Sequence, residues 1–170
     1  VWLNKDLQEL GWDKESPVMD AYVDPLNTWA DMSQVIDKED WPSKDYIKNI
    51  SYFCGPMEGG IPPKSEIDTP SKALKIVEKA GKSYLENDTK AWWPKVNPQN
   101  GSLDKDCLVD SYYRANIDPS ERYVLSVKNS TKYRLNGGES GFNNLYLAGD
   151  WTRNGINAGC IEACVMAGRI

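Results

Sequence analysis

The chain has 170 residues, a net charge of −5, 40% hydrophobic residues, four cysteines and no histidine. This length is enough for one domain with a real core, and the acidic balance argues against a nucleic-acid partner, because phosphate binding requires clustered Lys and Arg. The lack of histidine excludes Ser-His-Asp and Cys-His nucleophiles and His-based metal sites built from this chain alone. No apolar run reaches about 18 residues and no apolar leader opens the chain, so we expect no spanning segment and a cytoplasmic location.

The first third of the chain carries short extended signals. Residues 17–23 and 50–54 are rich in β-branched and aromatic side chains, which predicts two strands. Residues 28–36 predict a helical turn, capped by their first residue or by Asn27. The Gly- and Pro-rich stretch 55–69 predicts a loop.

The clearest helix signal follows this loop. Thr69 suits an N-cap and Pro70 suits the first helical position, so we predict a helix from Pro70 to about Glu86. Its apolar stripe at helical spacing consists of Ala73, Leu74, Ile76, Val77, Ala80, Gly81, Tyr84 and Leu85. Such a stripe is typical of an amphipathic helix packed on a core.

Three further strands are expected, at residues 109–115, 123–127 and 144–148. The last of them is short and apolar, as expected of a buried strand in a parallel sheet. A helix predicted from about Asn157 to the chain end completes a strand–loop–helix unit. Because the chain begins without Met and the terminal helix has no stop signal, we expect the sequence to be a piece of a longer protein.

The loop of this unit carries the residues with chemical meaning. Gly149 lets the backbone come close to a ligand, and Asp150, at the carboxyl end of the predicted strand, can accept hydrogen bonds from ligand hydroxyls. Small residues at the helix entry, Gly155, Ala158 and Gly159, leave free N–H groups at a positive helix end. This pattern predicts a site for an anion or a polarised carbonyl, which a sugar-alcohol chain beside an electron-poor ring carbonyl would fit. The alternative role for Asp150 is a helix cap or a turn.

Residues 145–168 resemble the C-terminal FAD-binding motif of the flavin amine oxidase and phytoene desaturase superfamily. The matching positions are Leu145, Tyr146, Ala148, Gly149, Asp150, Thr152, Gly155, Gly159, Glu162, Ala163, Val165 and Gly168. The resemblance implies that Asp150 bonds the ribityl chain of FAD and that the backbone from Asn157 to Ile161 meets the flavin ring. The cofactor-binding residues implied by the resemblance are Gly149, Asp150, Asn157, Ala158, Gly159 and Ile161.

The resemblance also implies a fold and a domain division. Residues 116–126 with 133–135, and residues 24–32, resemble regions of carotenoid-desaturase-like oxidoreductases, whereas the G-x-G-x-x-G that holds the ADP half of FAD is absent from this chain. The expected class is α/β or mixed α+β: a fragment of an FAD/NAD(P)-binding Rossmann-type domain with an interrupting mixed-sheet substrate domain. Residues 1–140 would belong to the substrate domain and 141–170 to the FAD-binding strand–loop–helix.

The function implied is that of an FAD-dependent oxidoreductase that oxidises an amine or an apolar, isoprenoid-like substrate by hydride transfer to the flavin. No catalytic residue and no metal ligand is predicted, because the flavin itself accepts the electrons. The alternative is a non-catalytic binding or interaction domain that keeps the strand–loop–helix as a scaffold. Association with a membrane surface and the oligomeric state are left open.

Two sets of side chains have alternative roles. Aromatic residues either line an apolar substrate channel or simply fill a core; they are Trp29, Trp41, Trp92, Trp93 and Trp151. Cys160 and Cys164 are four residues apart on one helix face, which suits neither a disulfide nor a metal site by themselves. We expect both cysteines to be small buried residues.

Overall fold

A computed structural model of the chain describes residues 1–20, 22–42, 46–57, 59, 68–97, 102–118, 121 and 126–169. The chain divides into two compact units, Val1–Ile117 (unit 1) and Asp118–Ile170 (unit 2). Each unit is described by itself. The predicted division at residue 140 separates a substrate domain, residues 1–140, from an FAD-binding strand–loop–helix, residues 141–170. Because it is defined by function, it stays a prediction.

Unit 1 contains an antiparallel sheet of five strands in the order β2-β3-β4-β1-β5. The strands are β1 Trp2–Leu3, β2 Val18–Met19, β3 Thr28–Asp31, β4 Asn49–Cys54 and β5 Leu108–Asp110. The α-helices described in this unit are α1 Leu7–Leu10 and α2 Thr69–Asn87, and short 3-10 helices cover Ser33–Lys38, Thr89–Ala91 and Lys105–Cys107. The mixed α and β class is therefore confirmed.

Strands β3 and β4 form the longest pairing in the sheet. Trp29 lies opposite Phe53, and Ala30 lies opposite Tyr52. The helical turn predicted over residues 28–36 is therefore wrong for its first four residues, and the 3-10 helix Ser33–Lys38 occupies most of the rest. The segment forms a strand because the burial of Trp29 against a partner strand outweighs the small differences in intrinsic helix and strand propensity.

The core of unit 1 is built around the fully buried Trp29. Its ring contacts those of Trp12, Phe53, Trp92 and Trp93, with centroid distances between 5.0 and 6.4 Å. The other buried members of this core are Leu3, Leu10, Leu85, Val96, Leu103 and Cys107. Aromatic pairs of this kind each add about 0.5–1.5 kcal/mol beyond the area they bury. Trp29, Trp92 and Trp93 thus fill the core, which is one of the two alternatives expected for the tryptophans, the other being the lining of a substrate channel.

Helix α2 confirms the predicted helix with small changes at its ends. It begins at Thr69 and ends at Asn87, so the N-cap is Asp68 and not Thr69. Most of the predicted stripe is buried or half-buried, but the Leu74 side chain is 41% exposed. Leu74 lies two turns before Gly81 on the same helix face. Near Leu74 the apolar stripe is therefore exposed and is not packed against the core.

Two other strand predictions prove too long. Of the described residues within 17–23 only Val18–Met19 form a strand, and of residues 109–115 only the first two belong to β5. By contrast, the prediction over 50–54 is confirmed by β4. A strand ends where its hydrogen-bonding partner ends, which a single segment does not reveal. Most of the predicted strand 123–127 and most of the predicted loop 55–69 lie outside the described residues.

Unit 2 shows no strand within its described residues. Its α-helix, α3, spans Ile161–Ala167, and a 3-10 helix spans Thr131–Tyr133. The strand predicted at 144–148 is wrong, because no neighbouring strand pairs with it in the described part of the chain and Leu145 and Tyr146 are exposed. The helix predicted from Asn157 begins four residues later, at Ile161. No helix described in either unit is long and apolar enough to cross a membrane.

Candidate functional site

The predicted cofactor loop opens with a tight turn in unit 2. Gly149 has φ +131°, a conformation that side chains disfavour, and the indole Nε1 of Trp151 lies 2.6 Å from where a Cβ would stand. The backbone N–H and the hydroxyl of Thr152 both donate to the Gly149 carbonyl, at 3.2 and 2.9 Å. The turn and the nearby Trp151 indole therefore both require glycine at this position. The sequence predicted a different reason for the glycine, namely the close approach of the backbone to a ligand.

A buried arginine holds this turn from the other side. Arg134 Nη1 donates to the backbone oxygen of Asp150 at 2.6 Å and lies 3.5 Å from that of Thr152, while Nη2 donates to Ser126 Oγ at 2.7 Å. Hydrogen bonds from a charged donor are the stronger class in proteins. Arg134 was not singled out from the sequence, and a lone arginine in an irregular segment carries no signal that would have done so.

The carboxylate of Asp150 is available to a ligand. Asp150 is half-buried, and its carboxylate takes no hydrogen bond or ion pair from the residues that the structure describes. Helix α3 begins at Ile161, so Asp150 does not cap it. Of the roles expected for Asp150, the helix cap is excluded, whereas the turn residue and the ligand contact remain.

The second half of the loop is closed on itself. Asn154 Oδ1 accepts from the backbone N–H groups of Ile156 at 3.0 Å and Asn157 at 2.7 Å, and Asn157 Oδ1 accepts from Asn154 N at 3.2 Å. Asn157 itself has φ +55°. Its N–H is therefore engaged within the loop, and the expected contact of the backbone from Asn157 to Ile161 with the flavin ring stays a prediction.

The remaining site residues lie before and at the start of α3. Ala158, Gly159 and Ile161 are exposed, with Ile161 79% exposed. The helix has seven residues and its N-cap, Cys160, makes no side-chain capping bond. Cys160 is half-buried and Cys164 is exposed, so the expectation that both cysteines are buried is wrong. A helix this short presents a weaker dipole than the longer one that was expected.

A cavity of about 670 Å³ lies in unit 1. Strand β4, one face of α2 and residues 112–116 form its walls. Trp29, Trp92 and Trp93 are not among the described residues that line it, so the substrate channel predicted from the tryptophans stays a prediction. The sequence contains one signal for this cavity, namely the adjacent small residues Ala80 and Gly81 in the apolar stripe of the helix, which leave room beside the helix for other groups.

Tyr84, in the cavity wall, has a shifted pKa. Burial raises the pKa of Tyr84 from 10.0 to about 12, although the hydrogen bond from Trp92 acts in the opposite direction. Trp92 Nε1 donates to the Tyr84 hydroxyl at 2.9 Å. Tyr84 is therefore a neutral hydrogen-bonding partner at physiological pH.

The chain was compared with protein-family models, curated proteins and solved structures. No protein-family model, no curated protein and no solved structure matches the chain. The described residues also contain no group of three or more Cys, Asp or Glu side chains arranged to hold a metal ion.

Proposed function

We propose that this chain contributes part of an FAD-dependent oxidoreductase of the amine oxidase and desaturase type, acting in the cytoplasm on an amine or an apolar substrate. The resemblance of residues 145–168 to the C-terminal flavin motif, within a Rossmann-type domain, is the sequence support. The observation that carries the proposal is the half-buried Asp150 carboxylate, which has no partner among the described residues. A carboxylate with free acceptor sites suits the hydroxyl groups of a ribityl chain.

The fit to FAD is uneven along the loop. Asp150 would hold the ribityl hydroxyls, and Gly149, Ala158, Gly159 and Ile161 border the same loop. The Asn157 N–H is used within the loop and does not fit a contact with the flavin ring. When bound, the flavin would supply the electron acceptor. The proposal therefore assigns the main cofactor contact to the Asp150 side chain.

The test is a titration of the purified chain with FAD, followed by flavin absorbance and fluorescence. Asp150→Ala removes the carboxylate, and Asp118→Ala, an exposed aspartate of the same unit, is the matched control. Losing a hydrogen bond to a charged group costs about 1.5–3 kcal/mol, or roughly 10- to 150-fold in affinity. We expect this loss for Asp150→Ala and none for Asp118→Ala. Equal affinity in both variants contradicts the assignment of Asp150.

A non-catalytic interaction domain is the second candidate, and one observation favours it. Unit 2 exposes several large apolar side chains, among them Phe142, Tyr146, Ile161 and Val165 at 68%, 79%, 79% and 54%. Clusters of this kind mark contact surfaces when they are contiguous. If the chain binds no FAD and sediments as a dimer that Ile161→Asp dissociates, the interaction domain is the better account.

A further inference from the structure

We propose that the cavity of unit 1 is a binding site for a neutral, ring-containing apolar small molecule. Its volume of about 670 Å³ falls in the range of roughly 300–1,000 Å³ typical of small-molecule sites. The inference stands on residues 1–117 alone and does not depend on a flavin bound by unit 2.

One wall of the cavity is held rigid by the core. The ring of Phe53, in β4, contacts Tyr84 of α2 at a centroid distance of 5.3 Å and Trp93 at 5.6 Å, and it stacks on Trp29 at 6.4 Å. Tyr84 is fixed in turn by the hydrogen bond from Trp92. A wall fixed by packing needs little reorganisation when a ligand arrives, which favours affinity.

A second wall of the cavity is formed where residues 112–116 approach α2 closely. A Cβ on Gly81 would stand 2.4 Å from Cε1 of Tyr113, so the tyrosine ring lies directly against the helix backbone at this residue. The neighbouring Ala80 lines the cavity with a methyl group only. The missing side chain of Gly81 therefore admits the Tyr113 ring, and the small side chain of Ala80 leaves space in the cavity wall.

The chemistry of the walls selects the class of ligand. Four aromatic side chains line the cavity besides Tyr84 and Trp2, namely Tyr52, Phe53, Tyr112 and Tyr113. Aromatic walls of this kind favour ring-containing ligands, which pack edge to face or offset against them. The one charged side chain in the described lining is that of Arg114. Because burying an ammonium group without a counter-charge is costly, the described lining favours a neutral molecule over a protonated amine.

The experiment is a fluorescence titration of the full chain, without added FAD, using N-phenyl-1-naphthylamine as the neutral apolar probe. Ala80→Phe fills the cavity from α2, and Lys79→Phe adds the same ring at an exposed neighbouring residue as the control. We expect saturable binding in the wild type, a weakening of about 10-fold or more in Ala80→Phe, and less than about twofold change in Lys79→Phe. Circular dichroism checks that each variant is folded.

A second variant and a competition keep the test decisive. Tyr112→Ala removes an exposed ring of the lining, 66% exposed, with little risk to folding, and we expect it to weaken probe binding severalfold. 1-Naphthalenemethanol is expected to displace the probe at lower concentration than the protonated 1-naphthalenemethylamine. Non-saturable probe binding, or unchanged binding in both folded cavity variants, overturns the site. Equal or better displacement by the amine overturns the ligand class, and a failure of FAD binding affects neither.

Discussion

The guanidinium of Arg134 donates to the backbone oxygen of Asp150 at 2.6 Å, across 16 residues of irregular chain. Arg134 is 9% exposed, and its guanidinium donates to neutral oxygens, namely two backbone carbonyls and the Ser126 hydroxyl. A buried cation stays favourable only when its donors are matched by acceptors in this way. The arginine thus holds the backbone of the turn, while the Asp150 carboxylate makes no hydrogen bond or ion pair with the described residues.

Replacing Arg134 with Met should loosen this turn. Met keeps the length of the apolar stem but removes the donors, and each lost charged hydrogen bond costs about 1.5–3 kcal/mol. We expect faster hydrogen exchange in a peptide spanning residues 147–155 and unchanged exchange in α2, measured by mass spectrometry. Arg153→Met is the control, because Arg153 is exposed and its side chain donates to the backbone oxygen of Lys132. Equal exchange in the two variants would argue against a buried anchor.

The hydrogen bond from Trp92 to Tyr84 should be visible in the free energy of unfolding. Tyr84→Phe leaves the buried Nε1 of Trp92 without its acceptor, and an unsatisfied buried donor costs about 1–3 kcal/mol. Urea unfolding at pH 7 measures the difference. Tyr112→Phe removes a hydroxyl from a side chain that is 66% exposed and should change stability by less than about 0.5 kcal/mol. The idea fails if both variants lose the same amount.

The same residue predicts a pH dependence at the alkaline end. Burial raises the pKa of Tyr84 from 10.0 to about 12 in the folded chain, so its contribution to stability is complete below pH 10 and is lost as the pH rises towards 12. A shift of one pKa unit corresponds to about 1.4 kcal/mol, so the shift from 10.0 to about 12 corresponds to a loss on the order of 3 kcal/mol. Urea unfolding at several pH values should show the wild type losing stability in this window faster than Tyr84→Phe does. Parallel curves would contradict the assignment.

Gly81 and Tyr113 should be energetically coupled. In an exposed helix interior, Gly→Ala stabilises by about 1 kcal/mol, but here the new methyl group collides with the Tyr113 ring at 2.4 Å. We therefore expect no gain from Gly81→Ala alone and the normal gain when Tyr113→Ala is already present. A double-mutant cycle by thermal unfolding should give a coupling of about 0.5–3 kcal/mol. Additive effects would show that the ring moves away without cost.

Local signals were sufficient for helix α2 and nearly so for strand β4. The hydrogen bonds of a helix join residues four apart, so Pro70 and the apolar stripe after it contain most of the information that places Thr69–Asn87. In β4, a run of β-branched and aromatic residues identified the strand to within one residue at its start. The mixed class followed from these two elements.

Contacts between distant segments decided the rest. Residues 28–31 became a strand because Phe53 lies opposite Trp29, and residues 144–148 did not because no partner strand is described beside them. In the predicted cofactor loop, the role of Arg134 and the internal bonds of Asn157 depend on which groups meet in space. The cavity likewise depends on the fold, which brings strand β4, helix α2 and residues 112–116 together around it. Strand pairing, loop hydrogen bonds and cavities are relationships between segments, so a pattern within one segment does not contain them.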